Sequence, residues 1–362
     1  MTDAPPIESD RVPGAPHPRE TPRLIGQDAA IAAFAETAAT GRMHHGWLIT
    51  GPRGTGKATL AWAIARWLIA DAATPDLSVP PDHPVARRML AMSEPRLHLV
   101  RRGVDDKTGR LRAEITVDDI RRLLSFFHMS AAEGGHRVAI IDAADDMNPA
   151  AANAVLKMLE EPPKGGVLLL VAHQPARLLP TIRSRCRELR LMPLDPDDMQ
   201  AALAPLDVPG DPARLAALAG GSVGEALRLA GQDGLDRYAQ ILRLFATLPR
   251  MDRQQAAALA DAAGGRATAD GDPFDLTMTL LDRFLSRAAR TGLMGAPLPE
   301  AADGEAKTLT RISPDERAAR HWAAAQADLS ARARRGRAVN LDPAALVMDM
   351  LLTLAQGPDG RN

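Results

Sequence analysis

The residues with the clearest chemical capacity are Gly51, Gly54, Gly56 and Lys57, set in the run Gly51-Pro52-Arg53-Gly54-Thr55-Gly56-Lys57-Ala58. Glycines at this spacing let successive backbone N–H groups converge on a phosphate where a helix begins, and the lysine adds a mobile positive charge. A tight strand-to-helix turn with an incidental lysine is the plainer alternative, and a buried strand before the run with a helix after it favours the phosphate loop. The position after the lysine should carry a hydroxyl to ligate the magnesium ion of a nucleoside triphosphate, and here it is Ala58. Thr59 lies one residue on, which turns its side chain about 100° around a helix axis and out of the required direction. A second apolar run, Ile140-Ile141-Asp142-Ala143, offers Asp142 as the metal-side carboxylate. Ala143 then stands where a glutamate would activate the attacking water. Asp145 and Asp146 are expected to solvate a loop or cap the following helix. The surviving glycines and Lys57 retain the means to capture ATP, ADP or another anion, because capture does not require turnover.

Elements of suitable type flank these residues. Trp47-Leu48-Ile49-Thr50 has the composition of a buried strand, and residues 58–70 place Leu60, Ile64, Trp67 and Leu68 on one helical face. Residues 138–141 and 167–171 are continuous apolar runs too short for helices, as central parallel strands require. Between them a helix is expected over 148–161, stopped by Pro162-Pro163. The alternation predicts an α/β fold, a parallel sheet with helices on both faces. Past Met192 the strand-like runs cease. Short helices are expected over 193–230, then a longer helical region broken at 264–272 and 292–299. The resulting division is a flexible amino-terminal tail (1–22), a sheet domain (23–192), a small helical domain (193–232) and an all-helical domain (233–362).

Composition excludes several functions. The single cysteine, Cys186, rules out an internal disulfide and a zinc site of several thiolates, and fits a reducing cytoplasm. His83 and His98 cannot replace such a cage, and residues 71–96 are expected as a loop with a short helix. The adjacent His44 and His45 are expected to pack or hydrogen-bond in a loop, so no metal is assigned. With 44 basic against 45 acidic residues, nothing favours wrapping nucleic acid by bulk charge. Arg101-Arg102 and the basic residues at 332–337 are expected as solvated faces, and one Tyr with six Phe supplies no stacking ladder for a single strand. Residues 1–22 lack the apolar core of a secretory signal, and no stretch approaches the roughly 20 apolar residues of a membrane span. The chain is expected to be soluble.

The stretch from Asn153 through Leu159-Glu160-Glu161-Pro162-Pro163, followed by Thr181-Ile182-Arg183-Ser184-Arg185-Cys186, resembles the clamp-loader branch of the AAA+ family. Leu24-Ile25-Gly26-Gln27, Met43-His44-His45-Gly46-Trp47 and Asn340-Leu341-Asp342-Pro343 extend the resemblance over most of the chain. It implies an AAA+ P-loop sheet domain, a helical lid over 193–232 and an oligomerising helical collar over 233–362. It also implies that Ser184 and Arg185 face a neighbouring subunit, with Arg185 reaching that neighbour's ATP. A permanently charged, multidentate guanidinium suits the charge that spreads over a moving phosphoryl group.

The departures refine the expectation. The family's motor subunits, gamma and tau, keep the loop hydroxyl, an Asp-Glu pair and a nucleotide-sensing arginine in the second domain. Here Gly224 stands in the arginine's place, within Gly221-Ser222-Val223-Gly224, and Arg228 is out of register. Ala172-His173-Gln174 occupies the position of a phosphate-sensing polar residue. The family's four-cysteine zinc module is missing. These changes imply a catalytically silent stator that requires no cofactor and holds no zinc. Its implied partners are gamma/tau and delta, with the sliding clamp (beta) and primed DNA met through the assembled complex and no membrane contact. Its implied place is the cytoplasmic replisome at the nucleoid, within a DNA polymerase holoenzyme. The alternatives are an active gamma/tau-like ATPase and an AAA+ DNA-binding switch.

Overall fold

Runs of apolar residues bounded by turn formers build the sheet of a computed structural model that describes residues 8–12, 15–21, 23–41, 43–105, 107–128, 135–268 and 271–356. In chain order the elements are α1 (Asp28–Ala39), β1 (Gly46–Thr50), α2 (Lys57–Ile69), α3 (Pro84–Leu90), β2 (Leu97–Arg101), α4 (Val117–His128), β3 (Arg137–Asp142), α5 (Pro149–Glu160), β4 (Gly166–Val171), α6 (Pro180–Arg183), β5 (Arg187–Arg190) and α7 (Pro196–Leu203). All strand pairs are parallel, in the order β2-β3-β4-β1-β5. This is the parallel sheet that the apolar runs predict, with β1, which leads into the glycine-rich loop, beside β4.

Each central strand feeds two cores because successive side chains point to opposite faces. Trp47, Ile49, Val138, Ile140, Val167 and Leu169 pack with Phe34 of α1 and with Leu60, Ile64 and Leu68 of α2. Leu48, Ala139, Ile141, Leu168 and Leu170 pack with Ile120, Leu123 and Phe126 of α4 and with Val155 and Leu159 of α5. Burial on both faces is why these strands read as unbroken apolar runs. The proline stop after α5 holds, and Asn148 opens that helix by accepting from the Ala151 N–H at 2.9 Å.

By its contacts the chain divides into two compact units, one reaching from the amino terminus to Ala202 and adding Gly221–Gly224, the other taking Leu203–Gly220 and continuing from Glu225. The segment expected as a lid, 193–232, is thus divided between them. Residues 1–7, 13, 14 and 22 of the expected tail lie outside the described residues. Its other residues make definite contacts: His17 is buried edge-on to Trp62, and Arg101 pairs with both Glu8 and Asp10.

The second unit is helical: α8 (Pro212–Ala219), the greater part of α9 (Val223–Ala230), α10 (Gly234–Ala246), α11 (Arg253–Ala263), α12 (Pro273–Met294), α13 (Glu305–Ile312), α14 (Glu316–Ala338) and α15 (Pro343–Leu354). Aspartates cap α8, α11, α12, α14 and α15, each accepting from N–H groups of its own first turn. The break expected from residue 292 falls later, after Met294, because Gly292 remains within α12. No helix among the described residues is long and apolar enough to cross a membrane.

A buried polar triad fixes α10, α12 and α13. Glu305, fully inaccessible, accepts from Tyr238 Oη at 2.5 Å, from Arg287 Nε at 2.6 Å and Nη2 at 2.8 Å, and from the Ala301 N–H at 2.6 Å. Burial and the Glu305 charge raise the Tyr238 pKa well above its ordinary range. Removing the carboxylate strands a guanidinium and a hydroxyl in the interior. Glu305→Ala is therefore expected to cost about 3–5 kcal/mol in urea unfolding, against about 1 kcal/mol for Tyr238→Phe.

Candidate functional site

The phosphate-loop glycines occupy the conformations their spacing demands: Gly51, Gly54 and Gly56 have φ of 138°, 72° and 94°. The chain runs from β1 through them into α2, whose first residue is Lys57. Lys57 is buried, and its ammonium donates to the Gly51 carbonyl at 2.8 Å and the Pro52 carbonyl at 2.5 Å. Burial pushes its pKa down to about 8, opposed by the Asp142 and Asp145 charges.

Residues 221–224 lie directly on this loop. Ser222 Oγ donates to the Arg53 carbonyl at 2.8 Å, and the Gly224 N–H donates to the Gly54 carbonyl at 3.1 Å. A Cβ at Gly224 would come 2.9 Å from Gly54 Cα, so only a glycine fits this close backbone approach. The position matched to a sensing arginine therefore holds a backbone-to-backbone contact. Behind the loop, Leu24 packs so closely that a Cβ at Gly56 would meet it at 2.4 Å. Gln27, which local sequence marks only as a motif residue, has an amide that donates to the Met192 carbonyl at 2.7 Å and accepts from the Met192 N–H at 3.1 Å. It fastens α1 to the chain leaving β5.

Asp142 ends β3 near Lys57, and burial first, then the Asp10 charge, raises its pKa to about 7 against the pull of Lys57. The expectation for Asp145 and Asp146 is corrected. Asp145 is buried and accepts from the backbone N–H groups of His173 (2.9 Å) and Gln174 (3.1 Å), tying the turn after β3 to the loop after β4. Asp146 pairs with Arg102 at 3.0 Å. The helix cap is Asn148. Burial, with the Lys57 and Arg53 charges, holds the His173 imidazole well below its usual pKa.

Arg185 lies elsewhere on the sheet. The chain reaches it from α6 before β5, and Arg187 is in register with Trp47 near the start of β1, whereas the phosphate loop follows Thr50. Strand rise puts about 13 Å between the two ends of β1. Arg185 is 37% exposed, bonds Glu160 at 3.0 Å and donates to the Thr181 carbonyl at 3.1 Å. The exposed Ser184 donates to the same carbonyl at 3.1 Å and ends α6. The structure thus gathers Gly51, Gly54, Gly56, Lys57 and Asp142 at the carboxyl edge and leaves Ser184 and Arg185 at the amino edge.

His44 and His45 stack with ring centroids 4.6 Å apart, and His45 Nε2 donates to the Leu159 carbonyl at 3.0 Å. His45 thus ties this loop to the end of α5, while His44 bonds the Gly46 carbonyl at 2.7 Å, as expected for histidines that pack and hydrogen-bond in a loop. Burial raises the Cys186 thiol to about 12, which keeps it protonated. Among the described residues no cluster of three or more His, Cys, Asp or Glu is placed to hold a metal ion.

Residues 26–195 match the family described as DNA polymerase III, delta subunit. The DNA polymerase III subunit delta' of Pseudomonas aeruginosa is 36% identical over 204 residues, 55% of this chain and 59% of that protein. That of Bacillus subtilis is 33% identical over 211 residues, 57% and 60% of the two chains. The tau subunit of Escherichia coli is 30% identical over 251 residues, 66% of this chain and 37% of that one. The matches span about three fifths of the length of these two delta' subunits. In sequence, residues 26–195 are thus similar to the DNA polymerase III delta subunit family and to the delta' subunits of these two bacteria.

Proposed function

We propose that the chain is the delta' stator of a DNA polymerase III clamp loader and hydrolyses no ATP itself. In this reading it lends Arg185 to the ATP of a neighbouring gamma/tau subunit, so that the complex, with delta, loads the sliding clamp on primed DNA in the cytoplasm during replication. The observation that carries the reading is the placement of Arg185: half-exposed at the amino edge of the sheet, a strand length away from the chain's own loop. From there it cannot serve Lys57's site and is available to another molecule. Its pair with Glu160, 50% exposed, is a surface ion pair of about 0–1 kcal/mol, readily exchanged for a phosphate.

The loop supports the other half. The glycines and Lys57 would hold phosphate, yet Ala58 and Ala143 bring no oxygen to a magnesium ion or water, and Lys57 is engaged by its own loop carbonyls. These residues do not fit a hydrolytic magnesium–nucleotide centre. Neither nucleotide nor zinc is required by this reading.

Two measurements test it. The purified chain is expected to show no magnesium-dependent ATP hydrolysis above background; robust turnover would instead establish the gamma/tau-like alternative. In a complex reconstituted with gamma/tau and delta, Arg185→Ala is expected to slow the facing site by about 10³-fold or more. Stability of the isolated variant should change by less than about 1 kcal/mol. A reconstituted variant complex that hydrolyses ATP at the full rate, with the facing site shown to be loaded, sinks the proposal.

A further inference from the structure

A buried, paired cluster in the amino-terminal segment is left unexplained by the stator reading. Asp10 has no exposed side-chain surface; it pairs with Arg101 and bonds His17 Nε2 at 3.1 Å. Glu8, 4% exposed, pairs with Arg101 at 3.1 Å and Arg19 at 2.8 Å. Burial alone would raise both carboxyl pKa values, but the His17 and arginine partners outweigh it and hold both below the usual range. Buried charges of this kind are costly unless their partners are fixed, so the cluster requires a defined path for the chain.

That path surrounds the phosphate loop. Arg101 ends β2 in register with Asp142, and the Asp10 charge is felt at Asp142, so the acidic part of the segment lies at the carboxyl edge. Val12 lies beside Gly224, 3.7 Å from where a Cβ there would stand, and Gly224 itself bonds the Gly54 carbonyl. His17 sets its ring edge-on to Trp62 at 5.8 Å, and Arg66 donates to the Arg19 carbonyl at 2.9 Å. Trp62 and Arg66 both belong to α2, the helix that the loop opens. The segment is therefore held at the end of β2, over the glycines on the loop and along α2.

We propose that residues 8–12 and 15–20 form an intramolecular strap that holds the phosphate loop closed against nucleoside di- and triphosphates. The strap holds the Asp10 carboxylate at the carboxyl edge near Asp142, where it would oppose the negative charge of an incoming polyphosphate. A tethered carboxylate is present at high effective concentration and repels an anion in solution. Closure is a property of the isolated chain and stands or falls independently of Arg185.

The test compares the full chain with Arg101→Ala, which removes both ion pairs to the strap, and with a variant lacking residues 1–21. Amide hydrogen exchange over residues 51–57 and calorimetric titration with ADP are read for each, with circular dichroism to verify the fold. The full chain should protect the loop amides and bind ADP no more tightly than about 1 mM. Both variants should exchange faster there and bind ADP about tenfold more tightly or better. If the deletion fails to fold, Arg101→Ala alone decides. Folded Arg101→Ala protein with unchanged loop exchange and unchanged ADP affinity overturns the proposal, as does tight ADP binding by the full chain.

Discussion

The two edges of a parallel sheet cannot be brought together. Every strand of the sheet runs the same way, so whatever follows a strand collects at one edge and whatever precedes a strand collects at the other. The phosphate loop after β1, Asp142 at the end of β3 and His173 after β4 arrive together without any special device. Arg185 precedes β5 and so belongs to the opposite edge. This separation of about 13 Å keeps Arg185 apart from Lys57, and no rotamer returns it there.

At the carboxyl edge the governing problem is a buried ammonium. A lysine desolvated to this extent must be met by acceptors, and the carbonyl oxygens of Gly51 and Pro52 meet it at hydrogen-bonding distance. The next two carbonyls of the loop, of Arg53 and Gly54, accept instead from Ser222 Oγ and the Gly224 N–H. An arginine in place of Gly224 would force the two backbones apart, since even a Cβ is too large for the gap. The glycine at position 224 and its close backbone approach to the loop are one structural fact.

Legibility in the sequence followed burial. β1, β3 and β4 stand between two cores and announce themselves as apolar runs. The edge strand β5, Arg187-Glu188-Leu189-Arg190, buries only Leu189, and β2 is mostly half-buried, so neither carries a comparable signal. The glycine and lysine positions of the site were readable because their function is local, a turn into a helix. The contacts that set the loop's state were not. Ser222 meets Arg53 across 169 residues, and Arg101 meets Asp10 across 91. Composition marked residues 1–22 as a tail for the same reason: charge and proline suggest disorder until the distant partner is known.

The pairing of Glu160 with Arg185 links the two motifs that carried the resemblance. Glu160 ends α5 just before the Glu161-Pro162-Pro163 stop, and Arg185 follows α6, so two local helix terminations bring them face to face. A guanidinium held by one half-exposed carboxylate and one carbonyl is oriented but not buried, and keeps further N–H groups for another acceptor. Replacing that carboxylate with a phosphoryl group exchanges one charge-assisted bond for a stronger one and leaves no buried charge unpaired. An external anion could therefore take the place of Glu160 at small cost to the fold, and the proposed action on a neighbour's nucleotide depends on that exchange.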